Sequence, residues 1–220
     1  MKSKVETNKP GILDKDLKEK VFRDLNKNYK NCNFPNSFEY GGSNPFLIAA
    51  ANKILPDYGY RIARLSESID IFPDYYFDLG LVLKNNFNEK NYLLENIIKQ
   101  IKKIDKNPEF PIKIDLADLI LINDTKTVQN CYFKLKDNPL IAFGSSILNS
   151  RNGHFSNEDR NKETGLPKQL NPRGNWTLFN KQKKLSDLSR IIVKGLSINS
   201  SFTDLAYSYS AGRILIMKND

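Results

Sequence analysis

The pattern of apolar residues between positions 77 and 122 constrains the fold more than any other feature of the chain. Its middle part has the three- and four-residue spacing of one helix face, formed by Leu94, Ile97, Ile98, Ile101 and Ile104. Apolar runs of strand length flank this segment at 77–83 and 112–122. The order is typical of a βαβ unit, although an α+β arrangement accounts for it equally well. We therefore expect an α/β or α+β fold with a central mixed sheet flanked by helices, in a single domain over residues 1–220.

The rest of the chain offers shorter elements of both kinds. Residues 1–30 are expected to form an N-terminal amphipathic helix, whose periodic part begins near Leu13. The apolar spacing predicts further helices at 44–55 and 186–194, and a helical turn from Thr203. Alternating or continuous apolar runs predict strands at 58–65, 132–135, 140–143 and 213–217.

The positive charge of the chain is concentrated in two segments. The net charge is +9 and the isoelectric point is near 9.4. Residues 1–30 carry nine basic and five acidic side chains, and residues 149–184 carry eight basic and three acidic ones. The remainder of the chain has seventeen of each sign. A bias in base composition explains a high lysine content overall, but it does not explain this concentration, so two basic surfaces for an anionic partner are favoured.

Residues 149–184 are expected to form a long basic loop inserted into the domain. Loops of this length inside compact domains are uncommon and usually carry function. Arginine and lysine neutralise phosphates, and an aromatic ring among them can stack on a base. The predicted nucleic-acid-binding residues are Arg151, Arg160, Arg173, Trp176, Lys183 and Lys184.

Candidate catalytic residues are limited by the single histidine, His154. Multi-histidine metal sites are excluded, so a metal would be held by carboxylates and carbonyls, which favours magnesium, manganese or calcium, with Mg²⁺ expected if the protein is a nuclease. An acid before a strand that ends in lysine resembles the metal-binding strand of restriction-type nucleases, although Val82 stands where a second acid is expected. In this hypothesis the metal ligands are Asp74, Asp78 and Asp115, and the catalytic residues are Asp74, Asp78, Lys84 and His154.

The two cysteines, Cys32 and Cys131, exclude a framework of several disulfides and a four-cysteine zinc site. We expect them to be reduced thiols. The polar N-terminus lacks the apolar run of a secretory signal, and no apolar stretch reaches the roughly 18 residues of a membrane span. A cytoplasmic location is therefore expected.

The leading functional hypothesis is a nucleic-acid-associated protein that binds DNA or RNA, with an Mg²⁺-dependent nuclease as its most concrete form. The alternative is a non-catalytic protein that docks on a protein partner or on a second copy through its N-terminal helix. A small-molecule enzyme would need a pocket that sequence does not display. If the acidic cluster within residues 57–78 and the basic segment 149–184 line one cleft, nuclease chemistry is favoured; otherwise only binding remains.

Overall fold

The computed structural model describes residues 9–32, 43–68, 74–84, 92–127, 130–180, 188–208 and 211–219. Within these ranges the α-helices are α1 (Lys15–Asn28), α2 (Pro45–Ile54) and α3 (Tyr92–Ile104). The first two begin at side-chain caps. Asp14 Oδ1 accepts the Leu17 N–H at 2.9 Å, and Asn44 Oδ1 accepts the Leu47 N–H at 2.9 Å. The helices predicted from apolar spacing are confirmed over these bounds. Of the predicted N-terminal helix 1–30, however, residues 1–8 lie outside the described ranges and Gly11–Ile12 form a short strand.

The described strands are short, and most follow a turn or a 3₁₀ helix. In chain order they are β1 (Gly11–Ile12), β2 (Tyr60–Ile62), β3 (Tyr76–Leu83), β4 (Ile112–Asp115), β5 (Leu119–Asn123), β6 (Cys131–Leu135), β7 (Ile141–Ala142), β8 (Gly153–Phe155), β9 (Trp176–Phe179), β10 (Leu188–Lys194), β11 (Ser197–Phe202), β12 (Gly212–Arg213) and β13 (Leu215–Lys218).

The largest sheet has the order β7-β4-β3-β10-β11-β9-β8, with β12 paired to β3 as well. Strand β3 is antiparallel to both β4 and β10, whereas β11 and β9 are parallel, so the sheet is mixed. The connection from β3 through α3 returns to an antiparallel neighbour, β4. The fold is therefore α+β, and the parallel βαβ alternative is not the one adopted.

Two smaller sheets complete the structure. Strand β13 lies between β1 and β2 and is antiparallel to both. Strands β5 and β6 form a hairpin in which Leu119 is opposite Leu135 and Asn123 is opposite Cys131. The predicted strand at 132–135 is thus confirmed.

The large sheet separates two apolar clusters. Leu81 and Leu83 of β3 belong to the cluster that contains the apolar faces of all three helices. Val82 belongs to the second cluster, with Phe155 and Trp176 from β8 and β9. This division follows from the alternation of side chains along a strand. Among the described residues, no helix is long and apolar enough to cross a bilayer.

The predicted helix at 186–194 is wrong, because its described part is strand β10, in the interior of the large sheet. Ile191, Ile192 and Val193 are consecutive, β-branched and all buried. A short run of this kind suits a strand that is buried on both faces, and periodicity alone does not distinguish it from a buried helix segment. The predicted helical turn at Thr203 is also absent, since 203–208 form no helix.

The apolar run 112–122 is a strand only in part. A 3₁₀ helix, Leu116–Asp118, interrupts it, and the halves on either side belong to different sheets. Because of this turn the chain leaves β4 and enters the β5–β6 hairpin. The predicted strand at 58–65 is likewise reduced to β2, between two 3₁₀ helices.

A loop insertion over residues 149–184 is not shown, since the described part, residues 149–180, includes strands as well as irregular chain. These residues contribute β8 and β9 to the large sheet and pack Phe155, Leu178 and Trp176 into the second apolar cluster. Scattered apolar residues among many polar ones concealed these strands from a pattern-based prediction. The basic character of the segment therefore belongs to an integral part of the fold.

Candidate functional site

The carboxylates proposed as metal ligands are separated by the large sheet. Leu81 is paired with Ile114 and Gly80 with Asp115, so Asp115 lies on the face opposite to the helices. Asp78 lies on the helix side, where its carboxylate accepts hydrogen bonds from Arg190 Nε at 2.6 Å and Ser43 Oγ at 2.8 Å. The two acids therefore do not share a site in this structure.

The other proposed catalytic residues are also dispersed. Asp74 is exposed near the start of β3, and Lys84 follows its end. A strand rises about 3.3 Å per residue, so Asp78 and Lys84 are roughly 20 Å apart along the chain. His154 is exposed on β8, with Thr177 Oγ1 at 3.3 Å from its Nδ1. Among the described residues, no group of three or more histidine, cysteine or acidic side chains is placed to hold a metal ion.

The predicted nucleic-acid-binding residues divide into buried and exposed members. Arg151 and Arg173 are exposed, whereas Arg160 and Trp176 are 5% and 1% exposed. The Arg160 guanidinium lies over the Trp176 ring, 4.9 Å from its centroid. Lys183 and Lys184 lie outside the described residues. Stacking of a base on Trp176 would require that this ring be uncovered first.

The side chains that do converge line a polar cleft of about 480 Å³ between β2 and the open end of the β5–β6 hairpin. Its volume is in the range of small-ligand sites. Its charged residues, three of each sign, are Arg61, Arg64, Glu67, Asp118, Lys136 and Asp137.

One wall of the cleft is a chain of ion pairs around Glu67. Arg61 donates to both carboxylate oxygens of Glu67, at 2.8 and 2.6 Å, and the Arg64 backbone N–H donates to Oε2 at 2.7 Å. The Arg64 side chain turns to Asp118, with Nη2 at 2.7 Å from Oδ1. These bonds orient both guanidinium groups at the cleft. Glu67 belongs to the acidic cluster within residues 57–78, so this part of the cluster is ion-paired.

The opposite wall presents Lys136, which follows β6. Its Nζ donates to Asn52 Oδ1 at 2.7 Å, and its backbone N–H donates to the Asp118 carbonyl at 2.9 Å. The Asn52 amide is buried in α2 and donates to the Ala117 and Leu119 carbonyls at 2.7 and 2.8 Å. A buried amide therefore holds both Lys136 and the turn that carries Asp118.

Electrostatics inside the cleft moves the pKa values of an acid and a base towards each other. Burial raises the pKa of Asp118, although the Arg64 charge opposes this effect. Burial lowers the pKa of Lys136; Asp118 opposes this shift, and the Arg64 and Arg61 charges add to it. Perturbed groups that share a cleft are typical of functional sites, although structural ion pairs perturb pKa values too. The arrangement can bind an anion.

The 3₁₀ helix Leu65–Glu67 forms hydrogen bonds with buried charged side chains on its interior side. Asp115 Oδ1 accepts the Leu65 N–H at 3.0 Å, and Arg160 Nη2 donates to the Leu65 carbonyl at 2.7 Å. Lys113 Nζ binds Asp115 at 2.5 Å and the Thr164 carbonyl at 2.8 Å. The basic segment 149–184 thus supports the cleft from the interior, and none of its described residues, 149–180, lines the cleft.

The acidic cluster within residues 57–78 includes Glu67, but nothing in the sequence connects Glu67 with Asp118, Lys136 or Asn52. No spacing rule relates Asn52 to Lys136, which are 84 positions apart. The only available signal was the local Arg61–Glu67 spacing. The remaining contacts depend on the 3₁₀ helix Leu116–Asp118, which redirects the chain.

Comparisons with protein-family profiles, with curated proteins and with solved structures found no match. The function is therefore inferred from the residues of this chain alone.

Proposed function

We propose that this protein associates with nucleic acid and that the cleft binds a phosphate group of the nucleic-acid backbone. The observation that supports this proposal is the convergence of Arg61, Arg64 and Lys136 on one cleft. Burial is the main cause that lowers the pKa of Lys136, and the Arg64 and Arg61 charges add to this shift, so both guanidinium groups repel the Lys136 ammonium. A phosphate oxyanion among them would relieve this repulsion and accept charge-assisted hydrogen bonds.

The acidic residues of the cleft are compatible with this role because they orient the cations. Arg64 uses Nη2 for Asp118, and Lys136 uses one of its three N–H bonds for Asn52. Donors on both side chains remain for a ligand. The exposed Arg151 and Arg173 extend the positive field over another part of the surface and would support attraction at long range.

We propose binding and not cleavage. The carboxylates of the nuclease hypothesis lie on opposite faces of the large sheet, and the basic segment meets the acidic one in the interior. Nuclease activity would be favoured if the acidic cluster within residues 57–78 and the basic segment 149–184 lined one cleft. The nuclease hypothesis with Mg²⁺ remains a prediction about these residues.

Fluorescence anisotropy with labelled single- and double-stranded oligonucleotides tests the proposal. Lys136→Gln should weaken binding about tenfold and should reduce the slope of log K against log salt by about one. Lys134→Gln is the matched control, because Lys134 is an exposed lysine on β6, two residues before Lys136. It should change affinity by less than about twofold, in keeping with a surface charge.

Two outcomes would contradict the proposal. One is the absence of binding to every oligonucleotide at low salt. The other is an equal loss of affinity in both lysine variants, which would show that only net charge matters. Thermal denaturation of each variant establishes that it is folded before its affinity is compared.

A small polar molecule is the second candidate ligand, and the balance of charge in the cleft favours it. Three basic side chains stand against Glu67, Asp118 and Asp137, which suits a ligand that carries both signs. The two candidates differ in how affinity depends on length. Binding that strengthens from a mononucleotide to longer oligonucleotides supports nucleic acid, whereas affinity that is already complete with a mononucleotide supports a small ligand.

A further inference from the structure

The only two cysteines of the chain lie together in the structure although 99 positions separate them. Cys32 follows α1, and Cys131 is the first residue of β6. Cys32 Sγ donates to Asn123 Oδ1 at 2.8 Å and lies 3.5 Å from the Asn130 carbonyl oxygen. Asn123 is the residue paired with Cys131 across the hairpin, and Asn130 directly precedes Cys131. The Cys32 sulfur therefore lies beside the Cys131 backbone, and each thiol affects the pKa of the other.

The surrounding contacts hold the two segments in this position. The Tyr29 hydroxyl donates to the Leu121 carbonyl at 2.8 Å, and Asn130 Nδ2 donates to the Asn31 carbonyl at 2.9 Å. The Asn123 amide also donates to the Asn28 carbonyl. The end of α1 is thus attached to the hairpin by several hydrogen bonds on both sides of the thiol pair.

We infer that Cys32 and Cys131 are a site of oxidative modification, at which a small-molecule disulfide converts the two thiols into an intramolecular disulfide. The Cys32 thiolate attacks one sulfur of the reagent, whose S–S bond breaks and releases one thiol. Cys131 then loses its proton and attacks the Cys32 sulfur, which releases the second thiol. The protein loses two electrons and two protons, and the reagent gains both as two thiols.

The order of attack follows from exposure. Cys32 is half-buried and reachable, whereas Cys131 is fully buried. Burial raises the pKa of Cys131 to about 12, and the neighbouring Cys32 adds to this effect. Burial also raises the pKa of Cys32. Because the thiolate is the reactive species, the bridge should form slowly near neutral pH and faster at higher pH.

Formation of the disulfide links α1 covalently to the β5–β6 hairpin. This inference does not depend on the proposed function. Lys136 of the cleft follows the same strand that begins at Cys131. A bridge that closes a loop of this length restricts the unfolded chain strongly. The oxidised protein should melt at a higher temperature than the reduced one, by about 5 °C or more.

The test incubates the full chain with oxidised glutathione at pH about 8.5 and follows it by intact-mass and peptide mass spectrometry. The expected product is a monomer about 2 Da lighter, in which the peptides of Cys32 and Cys131 are linked. Incubation with oxidised glutathione should change neither the mass nor the melting temperature of Cys32→Ser. Since Cys32 is half-buried, this variant tests the bridge with little risk to folding. The mass loss and the linked peptides are measured on the unaltered chain and do not depend on the variant.

Three results would overturn the inference. These are a lasting glutathione adduct on Cys32, a dimer linked between chains, and two thiols that both remain open to alkylation after prolonged incubation. Each would show that the two sulfurs do not reach bonding geometry in solution.

Discussion

Replacing Asp78 with asparagine should destabilise the protein strongly, because this acid is part of a buried ion pair. Its carboxylate accepts hydrogen bonds from Arg190 Nε at 2.6 Å, Arg190 Nη2 at 2.8 Å and Ser43 Oγ at 2.8 Å. Both charged side chains are almost completely buried. The variant keeps the shape of the side chain but leaves the Arg190 charge without its carboxylate. Removing one partner of a buried pair costs about 3–5 kcal/mol.

For a chain of 220 residues this cost corresponds to a fall in the melting temperature of about 6–20 °C. Urea unfolding followed by circular dichroism measures the free energy of unfolding directly. Asp74→Asn is the matched control, since Asp74 is exposed on the same segment, and its effect should stay within about 0.5 kcal/mol. A loss below about 1 kcal/mol for Asp78→Asn would refute the structural role assigned to Asp78.

A double replacement separates charge from packing at the same position. Asp78→Leu combined with Arg190→Met removes both charges together, and apolar replacement of a complete buried pair is often neutral or stabilising. We expect the double variant to be more stable than Asp78→Asn. If the two variants are equally unstable, the cost comes from packing and not from the unpaired charge.

Three further changes test other parts of the structure. Burial raises the pKa of Glu67, but hydrogen bonds from Arg61 and the neighbouring backbone lower it by more, so its folded pKa is below the unfolded one. Glu67→Gln should therefore cost about 1 kcal/mol near pH 7, and this difference in urea stability should vanish as the pH falls below the ordinary value of 4.5. Gly165→Ala should cost about 2–4 kcal/mol in the same assay, because φ is +71° and a Cβ would lie 2.5 Å from the Ser66 nitrogen. Trp176 emission should be typical of a buried indole, and it should not change when an oligonucleotide binds, whereas quenching would indicate direct stacking.

Local signals were sufficient for the helices. Asp14 and Asn44 are side-chain caps that the sequence displays, and the stripe from Leu94 to Ile101 requires only helical spacing. The prediction of a helix in place of strand β10 was wrong because an apolar run buried on both faces shows no alternation of polar and apolar residues. Strands β8 and β9 were not predicted because they are short and lie among polar residues.

The cleft was beyond a sequence-based prediction for a different reason. Arg61, Glu67 and Arg64 are close in the chain, so their ion pairs follow from local geometry. Lys136 and Asn52 meet only because the chain turns at Leu116–Asp118 and the hairpin folds back against α2. Contacts between distant segments depend on the complete topology, and no pattern in a single segment encodes them.

The helix proposed to dock on a partner also shows the limit of a local pattern. The apolar face of α1, with Leu17, Val21 and Leu25, is buried within the chain itself. Amphipathic spacing predicts that a face will be covered, but it does not tell whether the cover belongs to the same chain. Docking through this helix remains a prediction, and it would have to use other residues of the segment.

Photo-crosslinking of an oligonucleotide to the protein, followed by mass spectrometry of the linked peptides, tests the central claim most directly because it locates the bound backbone. If the cleft is the site, crosslinks should fall on the peptides that contain Arg61 and Arg64 or Lys136 and Asn138. At an oligonucleotide concentration below the dissociation constant, their yield should fall about tenfold in Lys136→Gln and should change by less than about twofold in Lys134→Gln. Crosslinks confined to residues 1–30 or 149–184 would contradict the cleft as the binding site.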